Sequence, residues 1–167
     1  MIVLVMGVAG VGKTTVGALL ARRLGWRFID ADEFHPRENV AKMRAGIPLE
    51  DADRWPWLAH LNKVLKEDEQ AVLACSALKQ RYRDRLFQGV PAFAVVYLHG
   101  EAALIHRRAE TRTHEYMPAS LLESQFAALE PPAGAICVNV AATPEACVAA
   151  ILPRLPLNPP PRSPGAE

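Results

Sequence analysis

The chain has 167 residues, half of them hydrophobic, and 19 basic side chains against 18 acidic ones give a net charge of +1. That is enough chain for one domain with a proper core, and so even a charge balance argues against a broad nucleic-acid surface. No apolar run approaches the ~20 residues that span a bilayer, so no membrane partner is expected. Cys75, Cys137 and Cys147 are odd in number and lack CxxC spacing, which excludes a disulfide framework or zinc site and points to a reducing cytoplasm. All three read as small apolar core residues.

The first apolar run, Ile2 to Met6, reads as a strand, and the glycine-rich loop directly behind it makes a signal peptide the wrong reading. Gly7-Val8-Ala9-Gly10-Val11-Gly12-Lys13-Thr14 is a full Walker A loop, with Thr15 continuing into the helix behind it. Its glycines let successive N–H groups face a phosphate, Lys13 can reach the β- and γ-phosphates, and Thr14 can hold Mg²⁺. The helix from Lys13 to Leu24 adds its positive dipole end and stops at Gly25. Strand, loop and helix together predict ATP or GTP binding.

Trp26 to Asp30 reads as a second strand, and His35 to Ala45 as a basic helix ending at Gly46. A longer helix begins at Asp51 or Asp53, where Pro56 is tolerable in the first turn. Ala71 to Cys75 and Phe93 to Leu98 are continuous apolar runs, as buried parallel strands should be. Lys79 to Phe87 is a very basic helix, and Glu101 to Thr111 leads into a polar stretch through Tyr116. Ser120 and Glu123 have capping-box spacing before another helix. Ile136 to Val140 is a fifth strand, and Thr143-Pro144 an N-cap and N1 pair for the last helix. The alternation predicts an α/β fold of three layers, a five-stranded parallel sheet with helices on both faces and a small lid at about 108–118. Residues 1–152 form the domain. Six prolines within 153–167 predict a mobile tail.

A switch GTPase is excluded by the lack of Asp-x-x-Gly and of a guanine-reading Asn-Lys-x-Asp. A motor ATPase would end its third strand in acid, where this chain has Cys75-Ser76. A small-molecule kinase remains, closing an arginine-bearing lid that keeps water from the phosphates. Asp30-Ala31-Asp32-Glu33-Phe34-His35-Pro36 ends the second strand on the same side of the sheet as the phosphate loop. One carboxylate can serve magnesium and another can take the proton of an attacking hydroxyl, unless these acids only cap the next helix. Asp32 is assigned to the base and Asp30, with Thr14, to the metal, and the two roles are exchangeable. Arg108 and Arg112, four apart on one helical face, would neutralise charge on the transferred phosphoryl group.

Several blocks together resemble the gluconokinase family of P-loop kinases. They are Asp30-Ala31-Asp32 with His35-Pro36; Asn39, Lys42-Met43, Gly46, Pro48-Leu49 and Asp51; Asp53-Arg54 with Trp57-Leu58; Cys75-Ser76-Ala77-Leu78-Lys79 with Tyr82-Arg83-Asp84; and Ser124-Gln125-Phe126 with Leu129-Glu130-Pro131. With the phosphate loop these cover residues 1 to about 150 in order. The resemblance implies a nucleoside-kinase-like fold, transfer of the ATP γ-phosphoryl group to the 6-hydroxyl of D-gluconate, and a homodimer. Gluconate carries one carboxylate, which suits the arginine fork. Acceptor contacts are assigned to Asp32, His35, Arg54, Lys79 and Arg83. The alternatives are a kinase for another small anion, such as shikimate or a nucleoside monophosphate, and a nucleotide-dependent binding module. One departure stands out. Aligned without gaps from Ser124-Gln125-Phe126, His114 falls where the family has glycine and Glu115 where it has histidine.

Overall fold

A computed structural model of the chain describes residues 1–111 and 121–157. Five strands, β1 (Ile2–Met6), β2 (Arg27–Asp30), β3 (Ala71–Ala74), β4 (Phe93–His99) and β5 (Ile136–Asn139), form one parallel sheet in the order β2-β3-β1-β4-β5. β1 lies at the centre with all five residues buried, which is why it reads as an unbroken apolar run.

Seven α-helices are described: α1 (Lys13–Leu24), α2 (Arg37–Arg44), α3 (Asp51–Glu67), α4 (Gln80–Phe87), α5 (Ala102–Thr111), α6 (Leu122–Ala128) and α7 (Pro144–Ile151). They cover the sheet on both sides. One core joins Val3, Val5, Val72, Val96 and Leu98 to Leu20 of α1 and Ile151 of α7. The other joins Ile2, Leu4, Met6 and Leu73 to Leu58 and Leu61 of α3 and Leu86 of α4. Alternate residues of one strand thus feed opposite cores, and the expected three-layer sheet is what forms.

Several boundaries differ from expectation for local reasons. The backbone N–H of Trp26 donates to the Ala21 carbonyl at 2.9 Å, so Trp26 completes the C-cap of α1 rather than starting β2. His35 is extended (φ −65°, ψ 135°), and α2 begins only after Pro36 because a residue before proline avoids the helical region. Pro56 is the sixth residue of α3, past the first turn. It is tolerated because it and Ala52, whose carbonyl would have been its partner, are both exposed. A capping box closes the start of α3. Glu50 N–H donates to Asp53 Oδ2 at 2.8 Å, and the Glu50 carboxylate accepts from the Asp53 backbone.

Thr143 caps α7 as expected, its Oγ1 accepting from Ala146 N–H at 3.2 Å. Packed structure runs past Pro153: Leu152–Arg154 is a 3-10 turn and Leu155 is buried in the first core. The remaining tail, 158–167, lies outside the described residues, as do 112–120, which include Arg112, His114, Glu115 and Ser120. Of the cysteines, Cys75 and Cys147 are buried, but Cys137, on edge strand β5, is exposed. Burial pushes the Cys75 thiol up to about 12, which keeps it an inert core residue.

Candidate active site

All five strands are parallel, so their C-terminal ends share one rim, and the chemistry collects there. The phosphate loop leaves β1 at its centre. Gly7 has φ 150°, and a Cβ there would lie 2.6 Å from the Leu98 carbonyl oxygen, so no side chain fits. Gly10, at φ 78°, lets α5 approach: a Cβ there would stand 3.1 Å from Ala109 Cβ. Val8 and Val11 send their side chains into the core, which leaves only their main chain to face a phosphate. Gly12, left-handed, opens α1 without any side-chain cap, so the first N–H groups of the helix stay directed at the rim.

Lys13 Nζ donates to the Val8 carbonyl at 3.0 Å. Thr14 Oγ1 donates to Asp30 Oδ2 at 3.0 Å, and the other Asp30 oxygen accepts from Asp32 N–H at the same distance. The last residue of β2 is therefore fastened to the first turn of α1. This hydroxyl–carboxylate pair beside the loop is the hard oxygen donor set that Mg²⁺ takes. A cleft of about 690 Å³ opens beside the loop, lined by Gly10, Gly12, Thr15, Arg108, Ala142 and Pro144. The turn after β5 thus forms its far wall. Arg108 reaches this cleft from the last turn of α5, the helical position expected of it. Cys147, expected only as core, also lines it.

The second cleft, about 640 Å³, draws on seven parts of the chain, one of them α2 through Met43. Asp32 and His35 come from the segment after β2, Pro48 and Leu49 from the approach to α3, and Arg54 and Trp57 from α3. Ser76 to Leu78 follow β3, Tyr82 is on α4, and Ser124 and Gln125 are on α6. The Asp32 side chain is 65% exposed, open to an incoming hydroxyl. The His35 side chain is only 4% exposed and stacks on Trp57, with ring centroids 4.0 Å apart. Desolvation, with the Arg54 charge second, lowers its pKa to about 4, so the ring is neutral at neutral pH. Asn39 Nδ2 stands 3.3 Å from His35 Nδ1 and donates to it, which assigns the ring proton to Nε2. Nε2 lies 3.8 Å from Asp32 Oδ1, too long for a hydrogen bond but directed into the cleft.

Arg54 makes its hydrogen bonds among the described residues through Nη1, to the Leu49 carbonyl and, at 3.3 Å, to Tyr82 Oη. Its guanidinium lies 5.1 Å from the Tyr82 ring centre. No carboxylate stands within ion-pair distance of it among the described residues. Asp51 instead accepts from the Tyr82 hydroxyl and pairs with Arg81 at 2.5 Å. The Tyr82 bond, with Arg81, Lys79 and Arg54 nearby, holds the Asp51 carboxyl below its usual range. Lys42, on α2, is held by both Asp53 oxygens at 2.9 Å. Lys79 stays behind the wall, its ammonium 5.9 Å from the centre of the Tyr82 ring.

Arg83 departs from the sequence assignment. It is 4% exposed and does not line the cleft. Nη1 donates to the carbonyls of Ala77 and Leu78, at 2.8 and 3.1 Å, and Nη2 to Gln80 Oε1 and the Glu130 carbonyl, both at 3.0 Å. Its charge thus braces the turn after β3, where Ala77 adopts a left-handed φ of 42°. Tyr82, Trp57 and Gln125 line the cleft without having been assigned to it from sequence. Tyr82 had the one available signal, a single aromatic ring within a run of cations.

A model of the shikimate kinase family matches residues 9–130. A probable gluconokinase of Rattus norvegicus is 48% identical over 153 residues, spanning 78% of this chain and 83% of that protein. The gluconokinase of Gluconobacter oxydans is 48% identical over 132 residues, 77% of this chain and 74% of its own. A solved gluconokinase structure from Sinorhizobium meliloti superposes with a TM-score of 0.83 at 44% identity, covering 90% of this chain and 89% of that one. Identity of 44–48% over more than three quarters of the chain identifies it as a member of the gluconokinase family.

Proposed function

We propose that the protein transfers the γ-phosphoryl group of ATP to the 6-hydroxyl of D-gluconate, giving 6-phospho-D-gluconate and ADP. The observation that carries the choice of acceptor is Arg54. It is a cation in the wall of a cleft that also holds Asp32, with no carboxylate partner among the described residues. A linear acid anchored at Arg54 by its carboxylate presents hydroxyls along the cleft toward Asp32. Neutral His35 offers Nε2–H to one of those hydroxyls. Asp32 takes the proton of the 6-hydroxyl as its oxygen bonds to the γ-phosphorus and the bond to the ADP oxygen breaks.

Gly7 to Thr15 cradle the phosphates through main-chain N–H groups, and Lys13 moves from the Val8 carbonyl to the transferred group. Thr14 and Asp30 would hold Mg²⁺, which would supply neutralisation of the triphosphate's negative charge. Arg108, with Arg112 from the neighbouring segment, stabilises charge on the phosphoryl group in flight. A homodimer in the cytoplasm is part of the same reading. Among the described residues no helix is long and apolar enough to cross a membrane.

The test is ADP release with a panel of acceptors: gluconate, shikimate, a nucleoside monophosphate and a blank of water alone. Gluconate should give turnover far above the blank. Turnover with shikimate and none with gluconate would overturn the assignment, and nucleotide binding with no acceptor-dependent ADP would make the chain a binding module.

A further inference from the structure

One peptide group of the phosphate loop is held from both sides. The Val8 carbonyl accepts from Lys13 Nζ at 3.0 Å, and the N–H of the same peptide, on Ala9, donates to Gln125 Oε1 at 2.7 Å. Gln125 is 116 positions away in sequence and sits on α6 in the wall of the acceptor cleft, which Asp32 and Arg54 also line. The far end of α6 is fixed: Glu130 N–H donates to the Leu78 carbonyl at 2.9 Å, and Glu130 Oε2 accepts from Gln80 N–H at 2.7 Å. The helix therefore hangs from the cleft wall and rests its Gln125 amide on the phosphate loop.

We propose that Gln125 is a positioning residue that couples the two substrates. An acceptor filling the cleft orders the Gln125 side chain, Gln125 fixes the Val8–Ala9 peptide, and that peptide sets where Lys13 and the loop hold the γ-phosphate. The physical reason is that once Lys13 leaves the Val8 carbonyl for the γ-phosphate, a peptide plane still held at its N–H by Gln125 stays preorganised, whereas one with neither end tied can rotate. Coupling is reciprocal: acceptor tightens nucleotide and nucleotide tightens acceptor by the same factor.

This rests on gluconate being the acceptor, so gluconate-dependent ADP release by the unmodified protein is measured first. Its absence removes that reading and this one with it. Next, the Kd of a non-hydrolysable ATP analogue with magnesium is measured with and without saturating gluconate. The unmodified protein should show a tightening of roughly fivefold or more. Gln125→Met, similar in shape but unable to accept from Ala9 N–H, should bring the ratio within about twofold of one while the analogue still binds. A merely structural role would weaken both ligands and leave the ratio alone, which overturns the proposal, as does a ratio near one in the unmodified protein. Should the variant not fold, amide exchange at Ala9 in the unmodified protein decides. Gluconate alone should slow it several-fold, and an unchanged rate overturns the proposal.

Discussion

The two clefts are made of different material. In the proposed mechanism the donor half is carried by nine consecutive residues, Gly7 to Thr15, acting mainly through main-chain N–H groups and one lysine. The acceptor cleft gathers side chains from seven separate parts of the chain. A backbone site tolerates variation in its side chains so long as the glycines keep their conformations. A side-chain site depends on which polar groups remain uncommitted after the fold has satisfied its own carbonyls. Arg54 and Arg83 make the point. Both are arginines near the turn after β3, yet one faces the cleft and the other is consumed by buried carbonyls.

The largest effect should come from the donor side. Lys13→Ala removes the cation that the proposed mechanism brings to the transferred group and should lower kcat on the order of 10²–10³-fold or more. Steady-state ADP release checks this, and wild-type turnover would take the loop out of the mechanism. On the acceptor side, Asp32→Asn should cost on the order of 10²–10⁴ in kcat, as loss of a general base does. ATP affinity should stay nearly intact, and an equal loss of ATP binding would move Asp32 to the donor half.

The same contrast explains what could be read in the sequence. The phosphate loop, the strand before it and the placement of Asp30 and Asp32 on the same rim were legible because each depends on neighbours in sequence or on the common rim of a parallel sheet; which of the two acids Thr14 bonds was not. The acceptor cleft was legible as a region but not residue by residue. Lys79, Arg81, Arg83 and Arg85 look alike as letters, and their fates diverge only in three dimensions. A trace of the answer was present: Arg83 falls on the buried face of α4 with Tyr82, Leu86 and Phe87. A cation on an apolar helical face must find acceptors inside, and here it finds four. Gln125 left no such trace, because its partner is a backbone N–H on the far side of the fold.

Paired substitutions sharpen that distinction. Arg54→Met should raise the gluconate KM roughly 10- to 100-fold, the worth of a hydrogen-bonded charge. It should change the ATP KM little. Arg83→Met strands the carbonyls of Ala77, Leu78 and Glu130 and should destabilise the fold by roughly 3–5 kcal/mol. That lowers Tm by roughly 6–20 °C in a domain of this size. The gluconate KM of the protein that remains folded should stay within about threefold, because the buried brace does not touch the cleft. If Arg83→Met raised KM as much as Arg54→Met while Tm held, the two arginines would have to exchange roles.

The smallest effect concerns how the acceptor half tolerates acid. His35 binds its proton near pH 4 in the folded protein and near its ordinary 6.5 when unfolded. Between those values the unfolded chain carries the extra proton, so stability falls as pH falls. The His35 contribution is fully present above 6.5 and gone near 4, with an upper bound of roughly 3 kcal/mol. Asp51 and Asp53, held below their ordinary 3.8 by the Tyr82 hydroxyl and by Lys42, lose their contributions only at lower pH still. Denaturation midpoints measured from pH 7.5 down to 4.5 therefore isolate the histidine. The unmodified protein should weaken steadily across that window, and His35→Gln, though less stable at pH 7.5 for want of the Trp57 stack, should show a flatter profile. Parallel profiles would mean that the ring takes its proton without cost where it sits, and that the stack on Trp57 and the Asn39 bond do not hold it neutral.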